Sequence, residues 1–243
     1  MQNTSELYKE LLAGLKANEK KHRYEYSLAI GDVADPEDGC DESMLIELKT
    51  TRGMFSSKSG PAVGCCVSGE IDVELIPPDS GVPRQARLAP YVRLTDGVRY
   101  SEWIQKGVFY VDTREPIKGN SVDRLRFHGY DDMLKTEQDY PASTLQWPAT
   151  DIDVVREIAA FIGVELDERS VELMVHSYLV QYPGRYSCRE VLGYIAAMYG
   201  GCFVMSDLGK LLLVTFFGIP PETNHLVTHA GRAITFGGVR IRV

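Results

Sequence analysis

The residues of this chain that could do chemistry fall into a few small groups. The densest is the run "GDVADPEDGCDE", where Asp32, Asp35, Glu37, Asp38, Asp41 and Glu42 supply carboxylate oxygens of the kind a calcium ion needs. Their spacing does not match an EF-hand loop, and a solvated turn between strands is the stronger reading. His225 and His229 are spaced as two metal ligands on a helix would be, yet "NHLVTHAGR" has no helical periodicity and no third ligand nearby. The pair reads as loop and strand surface. Asp131-Asp132 and Glu137/Asp139 are acidic pairs near helix ends, where interaction with the helix dipole and with water accounts for them. Trp103 and Tyr110 in "SEWIQKGVFYVD" could stack a ligand, but aromatic residues on strands are more often core. No G-x-S-x-G, H-E-x-x-H or P-loop is present, so no catalytic residue, cofactor or metal is expected.

The five cysteines, Cys40, Cys65, Cys66, Cys188 and Cys202, are odd in number and show no C-x-x-C spacing, which argues against disulfides and structural zinc. Two of them are adjacent in "VGCCVSGEIDVELIPP". On an extended strand Val63, Cys65, Val67, Ile71, Val73 and Leu75 share one face, while Cys66, Ser68, Glu70, Asp72 and Glu74 share the other. Unbroken parity across Gly69 predicts one long bent strand, with Cys65 packed, Cys66 at the surface, and Glu70, Asp72 and Glu74 on the wet face.

Charge narrows the function classes. The net charge is −8, from 34 acidic and 26 basic residues, which argues against a nucleic-acid-binding face. No apolar run approaches the ~20 residues of a membrane span, and "MQNTSELYKELLAGLKANEKKH" reads as a charged amphipathic helix unlike a signal peptide. Synthesis in the cytosol, with no membrane partner, is the expectation.

The elements that must position these groups follow from periodicity. Asn3 and Glu6 resemble a capping box opening a helix over residues 4–21 with the stripe Leu7, Leu11, Leu12 and Leu15. From "RYEYSLAI" the period becomes two, and six strand candidates arrive before Tyr130, separated by "GDVADPEDG", "PPDSGVP", "TDG" and "KGNS". Beyond them Asp151 caps a helix ending at Gly163, Ser187 and Glu190 form a capping box for a second helix, and "CFVMS" and "KLLLVTF" flank Asp207-Leu208-Gly209 as a hairpin. The fold class expected is α+β: an N-terminal helix (1–22), a mainly antiparallel β barrel (23–129), an inserted helix-helix-hairpin α+β domain (130–222), and strands returning to or beginning a barrel (223–243).

The order of "SGEIDVELIPPDSGVPRQARLAPYVRLTDG", "SEWIQKGVFYVDTRE", "FHGYDDMLKTEQDYP", "DIDVVREIAAFIGVELD" and "SCREVLGYIAAMYGG" resembles the N-terminal half of a phage or prophage tail protein of the baseplate-hub, tail-associated class. The resemblance covers nearly all of residues 20–243. It implies a structural, non-enzymatic role: a homotrimer that caps the tail tube as a ring of barrels, contacting the tube or distal tail protein and other tail-tip proteins, and located in the virion tail once assembled. Glu70, Asp72 and Glu74 would then face the channel or a neighbouring subunit. A cell-wall hydrolase, or the anchor of one, and a carbohydrate-binding β module are the competing readings.

Overall fold

The computed structural model describes residues 4–17, 21–53, 62–78, 81–118, 123–216, 235–236 and 239–240. Helix α1 spans Glu6–Lys16 and is capped by Ser5, whose Oγ accepts the Tyr8 N–H at 3.1 Å. The cap is therefore Ser5 in place of the expected Asn3, which lies outside the described residues, and the helix stops at Lys16. Only Leu11 of the predicted stripe is fully buried; Leu7, Leu12 and Leu15 are half-buried.

All six expected strands form: β1 (Arg23–Ile30), β2 (Leu45–Thr51), β3 (Glu70–Leu75), β4 (Arg87–Thr95), β6 (Phe109–Ile117) and β7 (Arg124–Tyr130), joined by a two-residue β5 (Ile104–Gln105). They make one antiparallel sheet in the order β1-β4-β6-β7-β3-β2, with β5 on β4. Alternation places Leu28, Ile71, Val73, Leu75, Leu88, Phe109, Val111, Leu125 and Phe127 on its inner face, where they form one cluster. Each such burial contributes roughly 1.5–3 kcal/mol, so this face fixes the register.

The closed barrel expected here is not found. Among the described residues no ladder joins β1 to β2; a single bridge, with N–H to O distances of 2.9 Å both ways, ties Leu28 to Cys40 ahead of β2. The physical reason lies in the gap, where Tyr24 and Tyr26 of β1 and Leu48 and Thr50 of β2 line a cleft of about 280 Å³ with Tyr8. A bulge between Leu45 and Glu47 also takes Ile46 out of the alternation and leaves it exposed.

The long strand also breaks. Only Glu70–Leu75 is β3; Ile71, Val73 and Leu75 are buried as expected, but Val63 is exposed, Cys65 and Val67 are half-buried, and Cys66 is buried. Parity fails because the chain changes partner at Gly69. Ahead of it, Gly64 N–H donates to Gly201 O at 2.8 Å, Phe203 N–H donates to Cys65 O at 3.2 Å, and Cys66 forms a parallel bridge with Phe203.

Those partners belong to a second hydrophobic cluster. After a 3-10 helix (Asp132–Glu137) come β8 (Ala149–Thr150), α2 (Asp151–Ile162), α3 (Glu168–Leu173), β9 (Leu179–Val180), α4 (Cys188–Met198), β10 (Gly201–Met205) and β11 (Leu211–Thr215). Val154, Val155, Ile158, Leu192, Ile195, Phe203 and Leu211 pack together, and Cys66 packs with them. Thr150, one residue ahead of the expected Asp151, caps α2, which ends at Gly163 with φ +79°. The Ser187/Glu190 capping box and the β10-β11 hairpin form as expected, while α3, capped by Asp167, was not anticipated. Of residues 223–243, the described ones form a pair of β12 (Thr235–Phe236) with β13 (Val239–Arg240); His225 and His229 lie outside the described residues.

Candidate assembly face

Opposite charges recur at every second position on two neighbouring strands, which places them on one face of the sheet. β3 presents Glu70, Asp72 and Glu74, and β7 presents Arg124, Arg126 and His128. The antiparallel register sets Glu74 opposite Arg126 and Asp72 opposite His128, and it extends to Glu47 and Lys49 on β2 and to Glu115 and Thr113 on β6. Two rows run across four strands: Glu47, Glu74, Arg126, Glu115, and Lys49, Asp72, His128, Thr113.

The centre of this face is neutralised internally. Glu74 receives Arg124 Nη1 and Arg126 Nη2, each at 2.7 Å, and Asp72 Oδ1 lies 2.8 Å from His128 Nδ1. The Arg126 hydrogen bond, followed by the charge of Arg124, holds the Glu74 carboxyl below its usual range. Without those arginines, Glu47 directly opposite Glu74 would be a repulsive pair. Glu74 is only 6% exposed, so the expectation of a wet face is corrected at this position; Glu70 and Asp72 remain half-exposed. Glu47, Lys49, Glu115 and Arg126 are exposed around it. The three acids are the part of this face expected from the sequence; Arg124, Arg126 and His128 complete it, and "RLRFH" carries the complementary spacing.

The aromatic candidates are occupied. The Arg93 guanidinium lies 4.3 Å from the Trp103 ring centroid and 4.5 Å from that of Tyr100, while Trp103 Nε1 donates to Glu37 at 2.8 Å. Arg93 also pairs with Glu25 and Glu37, so this part of the acid-rich loop is tied to β4. Asp35 caps a short 3-10 turn and Asp41 accepts from Ser43, both ordinary turn roles. Lys135 sits 5.1 Å above Tyr110 and 2.6 Å from Asp132, at a cleft of about 410 Å³ that Asp131 and Tyr130 also line. Among the described residues no group of three or more His, Cys, Asp or Glu could hold a metal ion, and no helix is long and apolar enough to cross a membrane.

Asp131 is the most perturbed acid of this region. It accepts from Gly69 N–H and Met133 N–H, yet burial outweighs these bonds and raises its carboxyl to about 6. Its neighbours also join the two hydrophobic clusters. Arg189 on α4 reaches Ser68 Oγ at 2.9 Å, Met133 O at 3.0 Å and Glu137 at 2.7 Å; Arg52 pairs with Asp207 and donates to Lys106 O.

No protein-family model matches the chain, and no curated protein matches it. Its fold is similar to that of the 43 kDa tail protein of prophage MuSo2 from Shewanella oneidensis, with a TM-score of 0.51 and 15% identity over 79% of this chain and 53% of that one. It is similar again to the tail protein from Neisseria meningitidis MC58, with a TM-score of 0.50 and 13% identity over 85% of this chain and 56% of that one. At these identities the likeness is one of fold. The chain spans little more than half the length of either protein.

Proposed function

We propose that this protein is a structural component of a phage or prophage tail, a baseplate or tail-tip hub protein that joins the tail tube to the tip as a ring. The observation that carries the reading is the shared fold with two tail proteins over about four fifths of the chain. The sheet supports it: among the described residues β1 and β2 end the hydrogen-bonded path with no ladder between them, β1 being met on its outer side by Cys40 at Leu28, and sheet edges of this kind are where a neighbouring chain adds a strand. In this reading residues 23–129 form the tube-like domain, residues 130–222 the small α+β domain, and residues 223–243 strands that return to, or begin, a β-barrel domain. The face carrying Glu70, Asp72 and Glu74 looks toward the channel or the next subunit of a homotrimer, and the role is assembly, with tube and tip proteins as partners.

Loss of the gene from the host prophage should leave induced particles without complete tails, and the chain should be found in purified wild-type tails. Normal tails without it would overturn the reading. Light scattering on the natural protein separates the finer statement, since a monomer at assembly concentrations would remove the trimer and leave the tail role to the first experiment.

A further inference from the structure

The bridge between Cys66 and Phe203 has a consequence for the residues just before them. Cys65 and Cys202 stand side by side on the opposite face of the same strand pair, because successive residues alternate. Residues paired across neighbouring strands lie within the roughly 4.4–6.8 Å Cα separation that a disulfide spans. The Cys202 thiol is in hydrogen-bonding contact with that of Cys65, and it also donates to Ala62 O at 3.5 Å. Access is unequal, with Cys202 fully buried and Cys65 partly exposed. Cys66 points the other way into the second cluster, where burial pushes its thiol up to about 12 and keeps it protonated. The divergence of Cys65 from Cys66 that argued against a disulfide between neighbours is what hands Cys65 to Cys202.

We propose that Cys65 and Cys202 are a redox-active pair that closes into a disulfide when the protein meets an oxidising low-molecular-weight disulfide. The exposed partner reacts first: the Cys65 thiolate attacks one sulfur of the small disulfide, forming a mixed disulfide and releasing one small thiolate. Cys202 then loses its proton and attacks the Cys65 sulfur, releasing the second small thiol. Two protein thiols are oxidised, one small disulfide is reduced to two thiols, and both protein protons end on the released thiols. The bond rivets residues 62–66 to β10 and so locks the two hydrophobic clusters together. Its timing rests on the proposed function: a tail component would keep both thiols while it is made in a reducing cytoplasm and would close the bond after release from the cell.

The experiment treats the purified full chain with excess oxidised glutathione, followed by intact mass, non-reducing peptide mapping and thermal melting. A loss of two hydrogens, a Cys65–Cys202 cross-linked peptide, reversal by dithiothreitol and a midpoint raised by roughly 5 °C or more are expected. Cys65→Ser should abolish the cross-link while keeping the untreated midpoint, and Cys66→Ser should retain the cross-link. A stable glutathione adduct on Cys65 with no loss of two hydrogens, a bridge that uses Cys66, or an unchanged midpoint would each overturn the pair. If the cross-link forms but the chain is absent from tail particles, the pair stands and only its biological timing falls.

Discussion

Asp131 and Gly69 hold each other by two hydrogen bonds: Asp131 Oδ2 accepts the Gly69 N–H at 2.8 Å, and the Asp131 N–H donates to the Gly69 carbonyl at 3.0 Å. The pair ties the end of β7 to the residue at which the chain leaves the second cluster for β3. A Cβ on Gly69 would stand 2.6 Å from that carboxylate oxygen, so only glycine lets the two approach.

The first prediction follows from this carboxyl. Its folded pKa of about 6 lies above the ordinary 3.8, so its contribution to stability is fully present below the unfolded value and is lost as pH rises through about 6. The swing is about 3 kcal/mol. Thermal midpoints of the wild type and of Asp131→Asn between pH 3.5 and about 7.5 should therefore show a pH-dependent component in the wild type that the variant lacks. Parallel curves would remove the assignment.

The inner face of β3 gives the second. Ile71 is fully buried and Asp72 is half-exposed beside His128, so Ile71→Asp should cost more than about 3 kcal/mol by burying an unpaired charge. Asp72→Asn should cost under about 1 kcal/mol. Equal shifts in chemical denaturation would contradict the face assignment.

Arg189 is the third. Its guanidinium meets Ser68, Met133 O, Thr136 and Glu137, a set no lysine can span. Arg189→Ala should cost about 1–3 kcal/mol and raise amide exchange in residues 64–69, and Arg189→Lys should restore little of either. Full recovery in the lysine variant would reduce the role to charge alone.

Gly64 and Gly193 supply the fourth. Gly64 has φ +80°, and a Cβ there would meet Gly193 O at 2.7 Å, while a Cβ on Gly193 would meet Gly64 O at the same distance. Either glycine-to-alanine change should destabilise by about 2 kcal/mol or more, and the double change should not compensate. A melting midpoint within error of wild type for Gly64→Ala would remove the close approach.

Much of the fold was legible because its signals are local. The alternation of "RLAPYVRL" and "RLRFHGY", the Ser187/Glu190 box and the glycine after Ile162 each state their element directly. The parity of "VGCCVSGEIDVEL" was local too, and misled: periodicity reports an extended backbone but not its partner, and here the partner changes from β10 to β2 and β7 at Gly69. The bulge at Leu45/Glu47 and the six-residue α3 carry too few residues to impose a period. The candidate face was half legible, since Glu70, Asp72 and Glu74 were placed together but the arginines that cover Glu74 arrive fifty residues later in the chain.

The strip of backbone at residues 64–66 also sets an order of events during synthesis. It is translated well before the helices and hairpin it packs against, and more than half the chain separates Cys66 from Phe203. As the polypeptide leaves the ribosome, strands β3 to β7 emerge while the 64–66 strip has no partner to bond, so the sheet must gather around a stretch that stays uncommitted until β10 appears. Completion of the second cluster waits on a contact of high sequence separation, the kind of contact that forms slowly and leaves surface open to aggregation. A fragment that begins after residue 130 therefore starts life one strand short, with the edge of β10 bare.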